Sequence, residues 1–365
     1  MKKIAFVTAT RAEYGLLRWS IDAVQRDPEL ELQLIVTGAH LEPAFGETWK
    51  QIEADGYPIA AKVPMQLDVQ SREGIVRSMS RCADGLAAAL GLLQPDLLVV
   101  LGDRYELLPI CSTATVMGIP IDHFSGGDIT EGAIDNEIRN AVTMLATLHF
   151  PGVEESAQRI VRMRGSFENV WTVGEPGLEQ CKRLKLLERE ALSADLGLDP
   201  AKRWVSLTYH PETRGSIDKD LANVKAILDF LEAQPDVECV ATRANADFGG
   251  ALINTLLESR AGKRLHLYSS LGQLRFLSLL KESYCCVGNS SSGIVEAPFF
   301  GTPTLDVGNR QKGRHLCANV LHLDSAEELP QAWTQISLKR VWDTWYGDGN
   351  TSAKVVAHIK EWLNK

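Results

Sequence analysis

Nothing in this 365-residue sequence approaches the ~20 consecutive apolar residues that a membrane-spanning helix needs. Positive charge is also in short supply: 38 Lys and Arg stand against 47 Asp and Glu, a net charge of −9. That balance argues against a nucleic-acid or acidic-membrane partner, although a few local cations are enough to hold a small anion. The seven cysteines (Cys82, Cys111, Cys181, Cys239, Cys285, Cys286 and Cys317) include no CxxC spacing. Their odd number and scatter speak against a zinc site or a disulfide framework and fit reduced thiols in a cytoplasmic protein. No 20–50-residue repeat and no low-complexity tract is present. The opening Met1-Lys2-Lys3 resembles the charged start of a signal peptide. Its apolar run stops at Arg11 and Glu13, however, so a buried first strand is expected there.

What the sequence does have is a globular balance of 45% hydrophobic and 23% charged residues, over a length that favours two domains. Short apolar runs alternate with helix-period segments, the pattern of a parallel α/β protein. In the first half the predicted strands are 4–8, 32–37, 97–101, 119–123, 148–150 and 170–173, with helices over 16–25, 75–93 and 138–146. The pattern restarts with strands at 204–208, 238–242, 265–268, 284–287 and 303–307. Helices over 221–233, 251–260, 272–280 and 292–299 lie between them. Runs that are apolar throughout belong in sheets covered on both faces. The reading is two Rossmann-like doubly wound domains, 1–180 and 181–345, joined through one connecting helix within 174–201. A closing helix over 346–365 is able to pack back on the first domain.

Two such domains facing across a cleft would take their ligand outside the carboxyl ends of the strands, so chemistry is sought in the segments after each strand. After the first comes Thr8-Ala9-Thr10-Arg11-Ala12-Glu13-Tyr14-Gly15. It is no GxGxxG, which weakens a dinucleotide reading. Either a helix start carrying Arg11 receives an anion, or the segment is an ordinary capped turn. Gly102-Asp103-Arg104-Tyr105-Glu106 sets Asp103 beside Arg104, as a catalytic or sugar-binding acid or as an ion pair capping the next helix. From His123 the chain runs Phe124-Ser125-Gly126-Gly127-Asp128, then on to Glu131, Asp135, Glu137 and Arg139. Four carboxylates crowd into ten residues. Some serve as helix N-terminal acids, and mutual repulsion can raise another into the range for proton transfer.

In the second half, His210 follows a strand in Tyr209-His210-Pro211, and Asn245 follows the next. Gly288-Asn289-Ser290-Ser291-Ser292-Gly293-Ile294-Val295-Glu296 reads as a phosphate cradle of small hydroxyl residues, without a Walker lysine. Glu296 is suited to ribose hydroxyls or to a capping role. Gly308-Asn309-Arg310-Gln311-Lys312-Gly313-Arg314 adds cations suited to a pyrophosphate.

Taken in order, these segments resemble the UDP-N-acetylglucosamine 2-epimerase family, in particular its hydrolysing branch that feeds sialic and legionaminic acid synthesis. The family's TGTRA(D/E)YG is similar to Thr8–Gly15, its TG(S/M)HL to Thr37–Leu41 and its GDR(Y/F)E to Gly102–Glu106. Its GNSSSGI(I/V)E is matched by Gly288–Glu296 and its G(N/T)RQ-GR by Gly308–Arg314. The wording from Thr130 to Asp135 looks most like enzymes acting on UDP-N,N′-diacetylbacillosamine. The resemblance implies two Rossmann-like domains of glycosyltransferase-B type, a UDP-sugar substrate held mainly by the second, a homodimer, and neither metal nor nicotinamide. It implies that Arg11, His210, Ser290, Ser291, Glu296 and Arg310 hold the nucleotide, and that Asp103 and Asp135 match two family carboxylates. Asp128 and His210 join them as catalytic candidates. Arg104, Ser125, Glu131, Arg139, Asn245, Ser292 and Arg314 are further candidate substrate contacts.

Three positions depart from the family. Ser125 stands where a Glu or His is common, and a serine hydroxyl carries protons poorly at its ordinary pKa. Asn140 and Met144 replace a His and a Lys. A different sugar, a substitute role for Asp128, altered chemistry and simple drift are all compatible with this. Alternatives to an epimerase are a glycosyltransferase using a UDP-sugar donor, and a UDP-sugar-binding protein with reduced turnover.

Overall fold

The apolar runs lie side by side as two parallel sheets in the computed structural model, which describes residues 1–68, 71–129, 135–212, 215–244, 249–336 and 341–365. In the first, β1 (Lys2–Thr8), β2 (Leu30–Thr37), β3 (Ile59–Val63), β4 (Leu97–Leu101), β5 (Ile121–Phe124) and β6 (Leu148–Phe150) take the order β3-β2-β1-β4-β5-β6. In the second, β7 (Arg203–Thr208), β8 (Val237–Thr242), β9 (Leu265–Tyr268), β10 (Cys285–Gly288), β11 (Thr304–Val307) and β12 (Val320–Leu323) take the order β12-β11-β10-β7-β8-β9. Both are the same doubly wound arrangement. The strand order reverses between β1 and β4, and again between β7 and β10. Loops leaving those four strands open onto the crevice where such sheets receive ligands.

Each sheet is covered on both faces, as its unbroken apolar strands require. Ile4, Phe6, Leu34 and Val99 pack with Leu17, Ile21 and Val24 of the helix Arg11–Arg26. Ala5, Val7, Ile35, Leu98 and Val100 point the other way, toward the helices Arg72–Leu93 and Leu107–Val116. In the second sheet Val205, Leu207 and Val287 meet the helix Ile217–Glu232, while Trp204 and Val240 meet Leu192 and Leu279. Burying one such side chain is worth about 1.5–3 kcal/mol.

The chain forms two compact units: the described residues up to Gln180 together with Gly347–Lys365, and Cys181–Tyr346. The closing helix Thr351–Leu363 thus belongs to the first unit. Val355 and Ile359 enter the core around Ile4 and Phe6, and Lys360 Nζ reaches Asp27 at 3.1 Å and Glu29 at 2.8 Å. Ser352 closes the junction through its N–H and hydroxyl, both donated to the buried Glu179 carboxylate.

Several elements differ from the sequence expectation. The two unforeseen strands, β3 and β12, lie at sheet edges, where half-exposed residues interrupt the apolar run. The expected strand at 170–173 is reduced to an isolated bridge between His149 and Val170. Backbone bonds from Trp171 N–H to His149 O and from Val173 N–H to Pro151 O begin a ladder, but Pro151 has no N–H to return. The single connecting helix is two, Gly177–Arg183 and Arg189–Leu196. The helix expected over 292–299 is two short turns, Ser291–Ile294 and Glu296–Phe299, meeting at Val295. Helices at Glu154–Arg164 and Leu329–Ile336 were also unforeseen, while the helix expected after Gly102–Glu106 runs over Leu107–Val116.

Candidate active site

The turn after β1 is held from several directions. Thr10 caps the helix Arg11–Arg26, and Glu13 returns its Oε2 to the N–H groups of Ala9 at 2.7 Å and Thr10 at 3.1 Å, a reciprocal capping box. Burial pushes the Glu13 carboxyl up to about 7, with Glu106 adding repulsion against the lowering effect of those N–H bonds and Arg104. His40, buried beneath the turn, lies 3.0 Å from the Thr8 hydroxyl and 2.7 Å from that of Thr48; desolvation lowers its pKa to about 4. Arg11 stands exposed as the first residue of the helix.

Asp103 follows β4 after Gly102. Its carboxylate accepts from Nη2 of Arg139, which is only 4% exposed, and the other arm of that guanidinium donates to the Asp128 carbonyl at 2.8 Å. Arg104 turns instead to Glu106, a fully buried carboxylate, at 2.8 Å. The Gly102 carbonyl lies 2.8 Å from His123 Nε2, and Thr143 Oγ1 lies 3.2 Å from the other ring nitrogen. Burial lowers His123 to about 4, so its ring is neutral at physiological pH and donates to that carbonyl.

Beyond β5, Ser125 adopts a left-handed backbone with φ of 56°. Gly127, at φ of 78°, lies against the helix Glu154–Arg164: a Cβ there would come within 2.2 Å of the Ser156 carbonyl oxygen. Ser156 Oγ donates to Asp128 Oδ1 at 2.6 Å. Asp135 begins the helix Asp135–Leu145, which also carries Arg139, Asn140 and the exposed Met144. Glu131 lies outside the described residues, as does Asn245.

In the second unit, Gly288 (φ of 130°) abuts β7 so closely that a Cβ would lie 2.0 Å from the Thr208 carbonyl oxygen. Asn289 follows, wholly buried. Its Oδ1 accepts from His210 N–H at 2.7 Å and its Nδ2 donates to His210 O at 2.8 Å. Its carbonyl accepts from Arg310 Nη1 at 3.2 Å and Gln311 Nε2 at 2.8 Å. Ser290 caps the short turn Ser291–Ile294 and meets the Ser292 hydroxyl at 3.1 Å. The Glu296 carboxyl is raised by burial, against a weaker lowering effect from Arg314, and its Oε2 has no hydrogen-bond partner among the described residues. Glu212 Oε1 receives the Asn309 N–H at 2.5 Å, fixing the start of the basic loop.

Within the first unit, then, Asp103, Asp128 and Arg139 are joined through one guanidinium. Within the second, His210 and Arg310 are joined through Asn289. Sequence reasoning did not single out Asn289, Gln311 or His123. Asn289 and Gln311 carry no charge pattern and were marked only by their position after a strand, and His123 lies inside β5, where a buried strand residue reads as core.

The family model for UDP-N-acetylglucosamine 2-epimerase matches residues 22–360. The chain belongs to that family. Among relatives of the epimerase family, the chain is 37% identical over 341 residues to the GDP/UDP-N,N′-diacetylbacillosamine 2-epimerase (hydrolyzing) of Campylobacter jejuni, covering 93% of this chain and 88% of that protein. It is 30% identical to the UDP-N,N′-diacetylbacillosamine 2-epimerase (hydrolyzing) of Legionella pneumophila, covering 99% of this chain and 96% of the relative. The crystal structure of UDP-GlcNAc 2-epimerase from Neisseria meningitidis bound to UDP-GlcNAc superposes with a TM-score of 0.84 at 18% identity, covering 98% of this chain and 100% of that one. That structural likeness concerns the fold, two α/β domains of glycosyltransferase-B type. No helix among the described residues is long and apolar enough to cross a membrane.

Proposed function

We propose that this epimerase-family chain hydrolyses a UDP-linked 2-acetamido sugar with inversion at C2, releasing UDP and the manno-configured free sugar. Of UDP-GlcNAc and UDP-N,N′-diacetylbacillosamine, the relatives' names favour the second. The observation that carries the reading is Asp103: a carboxylate at the carboxyl end of β4, fixed by a buried arginine on the helix that Asp135 begins. In the proposed reaction a carboxylate removes the C2 proton while the C1–O bond to UDP breaks, leaving a glycal-like sugar. Water then adds its oxygen to C1, and a proton returns to C2 on the opposite face. Substrate and water thus become UDP and epimerised sugar. This needs an acid and a base beside the sugar and support for the departing diphosphate.

Asp103 and Asp135 are assigned the proton transfers. Asp128, oriented by Ser156, stands in for the acid-base group that Ser125 cannot supply. Arg139 is the cation held against Asp103; Arg104 is assigned to the sugar and Arg11 to the nucleotide. His210, Ser290, Ser291, Ser292, Arg310 and Arg314 are assigned to the diphosphate, and the unpartnered Oε2 of Glu296 to ribose hydroxyls. A cytoplasmic homodimer completes the proposal.

The test is proton NMR in D₂O with UDP-GlcNAc and UDP-N,N′-diacetylbacillosamine in separate tubes, and a GDP-linked sugar in a third. Release of UDP with a C2-deuterated manno sugar is expected from one of the first two. Intact sugar nucleotides in every tube would refute the assignment. A Ser125→Glu variant is expected to raise turnover if the missing acid-base group limits it.

A further inference from the structure

We infer that Asn289 is a positioning residue for the nucleotide, setting His210 and Arg310 in register with one another; the inference rests on the proposed UDP site. Sheet topology places the problem. β7 and β10 are neighbours at the reversal of strand order in the second unit, so their two loops diverge at the point where a ligand would enter. Nothing in a parallel ladder beyond Gly288 keeps two diverging loops together.

Asn289 does so with its backbone N–H, its carbonyl and both ends of its side-chain amide. Its backbone N–H donates to Thr208 O at 3.1 Å, the last carbonyl of β7. Its side-chain amide then grips His210 by both backbone groups, at 2.7 and 2.8 Å, as though extending the sheet by one residue. Its own carbonyl receives Arg310 and Gln311 from the loop after β11. Three loops therefore converge on one fully buried residue that a ligand need not touch. Gly288 makes the arrangement possible, since any side chain there would overlap the Thr208 carbonyl. Asparagine is the residue this requires: one acceptor and one donor on a short, planar, uncharged group. Aspartate has the same shape but sets a second acceptor against the His210 carbonyl.

The test uses the full-length protein and UDP itself, titrated by calorimetry beside a thermal melt. Asn289→Asp is expected to bind UDP weaker by on the order of tenfold to a hundredfold at pH 8 while still melting cooperatively. Lowering the pH to 5.5 protonates a carboxyl raised by burial against a carbonyl and restores the missing donor. The ratio of variant to wild-type affinity is then expected to recover at least severalfold. Asn289→Ala, which has no donor to recover, should show the same loss at both values. A wild-type protein that does not bind UDP would refute the proposed site itself. Wild-type binding with unchanged Asn289→Asp affinity would overturn the positioning role alone. A variant with a lowered melting temperature but unaltered affinity and pH response would make Asn289 a purely structural residue.

Discussion

Arg139, one turn beyond Asp135 on the same helix, donates one arm of its guanidinium to Asp103 and the other to the Asp128 carbonyl. One buried cation thereby fixes the loops after β4 and β5 relative to the helix that follows them. A lysine can hold the charge but not both directions at once. Arg139→Lys is therefore expected to fold, with turnover reduced by at least about tenfold, a change of roughly 1.4 kcal/mol. Turnover by NMR alongside a thermal melt checks this. A stable variant with wild-type turnover would remove Arg139 from the machinery.

Glu13 gives the first unit a pH dependence of known sign. Its carboxyl is raised to about 7 in the fold from an ordinary 4.5, so the protonated form is the favoured one there. The associated stability is complete below pH 4.5 and is lost as pH rises through 7. Integrated over that interval the loss is on the order of 3 kcal/mol. Glu13→Gln has no proton to lose, and its unfolding free energy should fall less than that of the wild type between pH 5 and pH 8. Parallel urea midpoints across this range would show that Glu13 is not the titrating group.

His149 works in the opposite direction. It is wholly buried on β6 beside His123, neither ring nitrogen has a hydrogen-bond partner among the described residues, and desolvation lowers its pKa to about 3. A lowered histidine contributes stability above its unfolded value near 6.5 and loses it as the pH falls. His149→Leu is expected to flatten the acid limb between pH 6.5 and 4. At pH 7 it should stabilise by about 1 kcal/mol through removal of unpaired polar atoms. An unchanged acid limb would count against this.

Two left-handed glycines should respond differently to alanine. Gly118, at φ of 72°, has open space where a Cβ would go, so Gly118→Ala is expected to cost about 1 kcal/mol of backbone strain. Gly127 faces a backbone carbonyl of the helix Glu154–Arg164, which cannot retreat without moving that helix. Gly127→Ala should cost several times as much, on the order of 3 kcal/mol or more. Chemical denaturation of both variants decides it, and equal losses would contradict the packing argument.

How much of this was legible beforehand follows from where each signal resides. Central strands such as β4 and β10 are sandwiched between helices, so their apolar character is continuous and readable. The edge strands β3 and β12 meet solvent and lose that mark. The motif segments could be placed after strands because a chain must leave a sheet at its carboxyl ends. That places Asp103, His210 and Ser290 in candidate loops without any structure.

Sequence by itself determined the α/β class, the restart of the pattern near residue 200, the loops worth attention and the family. Tertiary structure decided which residues those loops bring together. Arg139 meets Asp103 from 36 positions away, and Asn289 meets His210 from 79. Such pairings are set by strand order and side-chain packing, and a hydrogen bond between distant residues leaves no periodicity along the chain. The same limit applies to Pro151, whose missing N–H ended a strand only because Val170–Val173 came to lie beside β6.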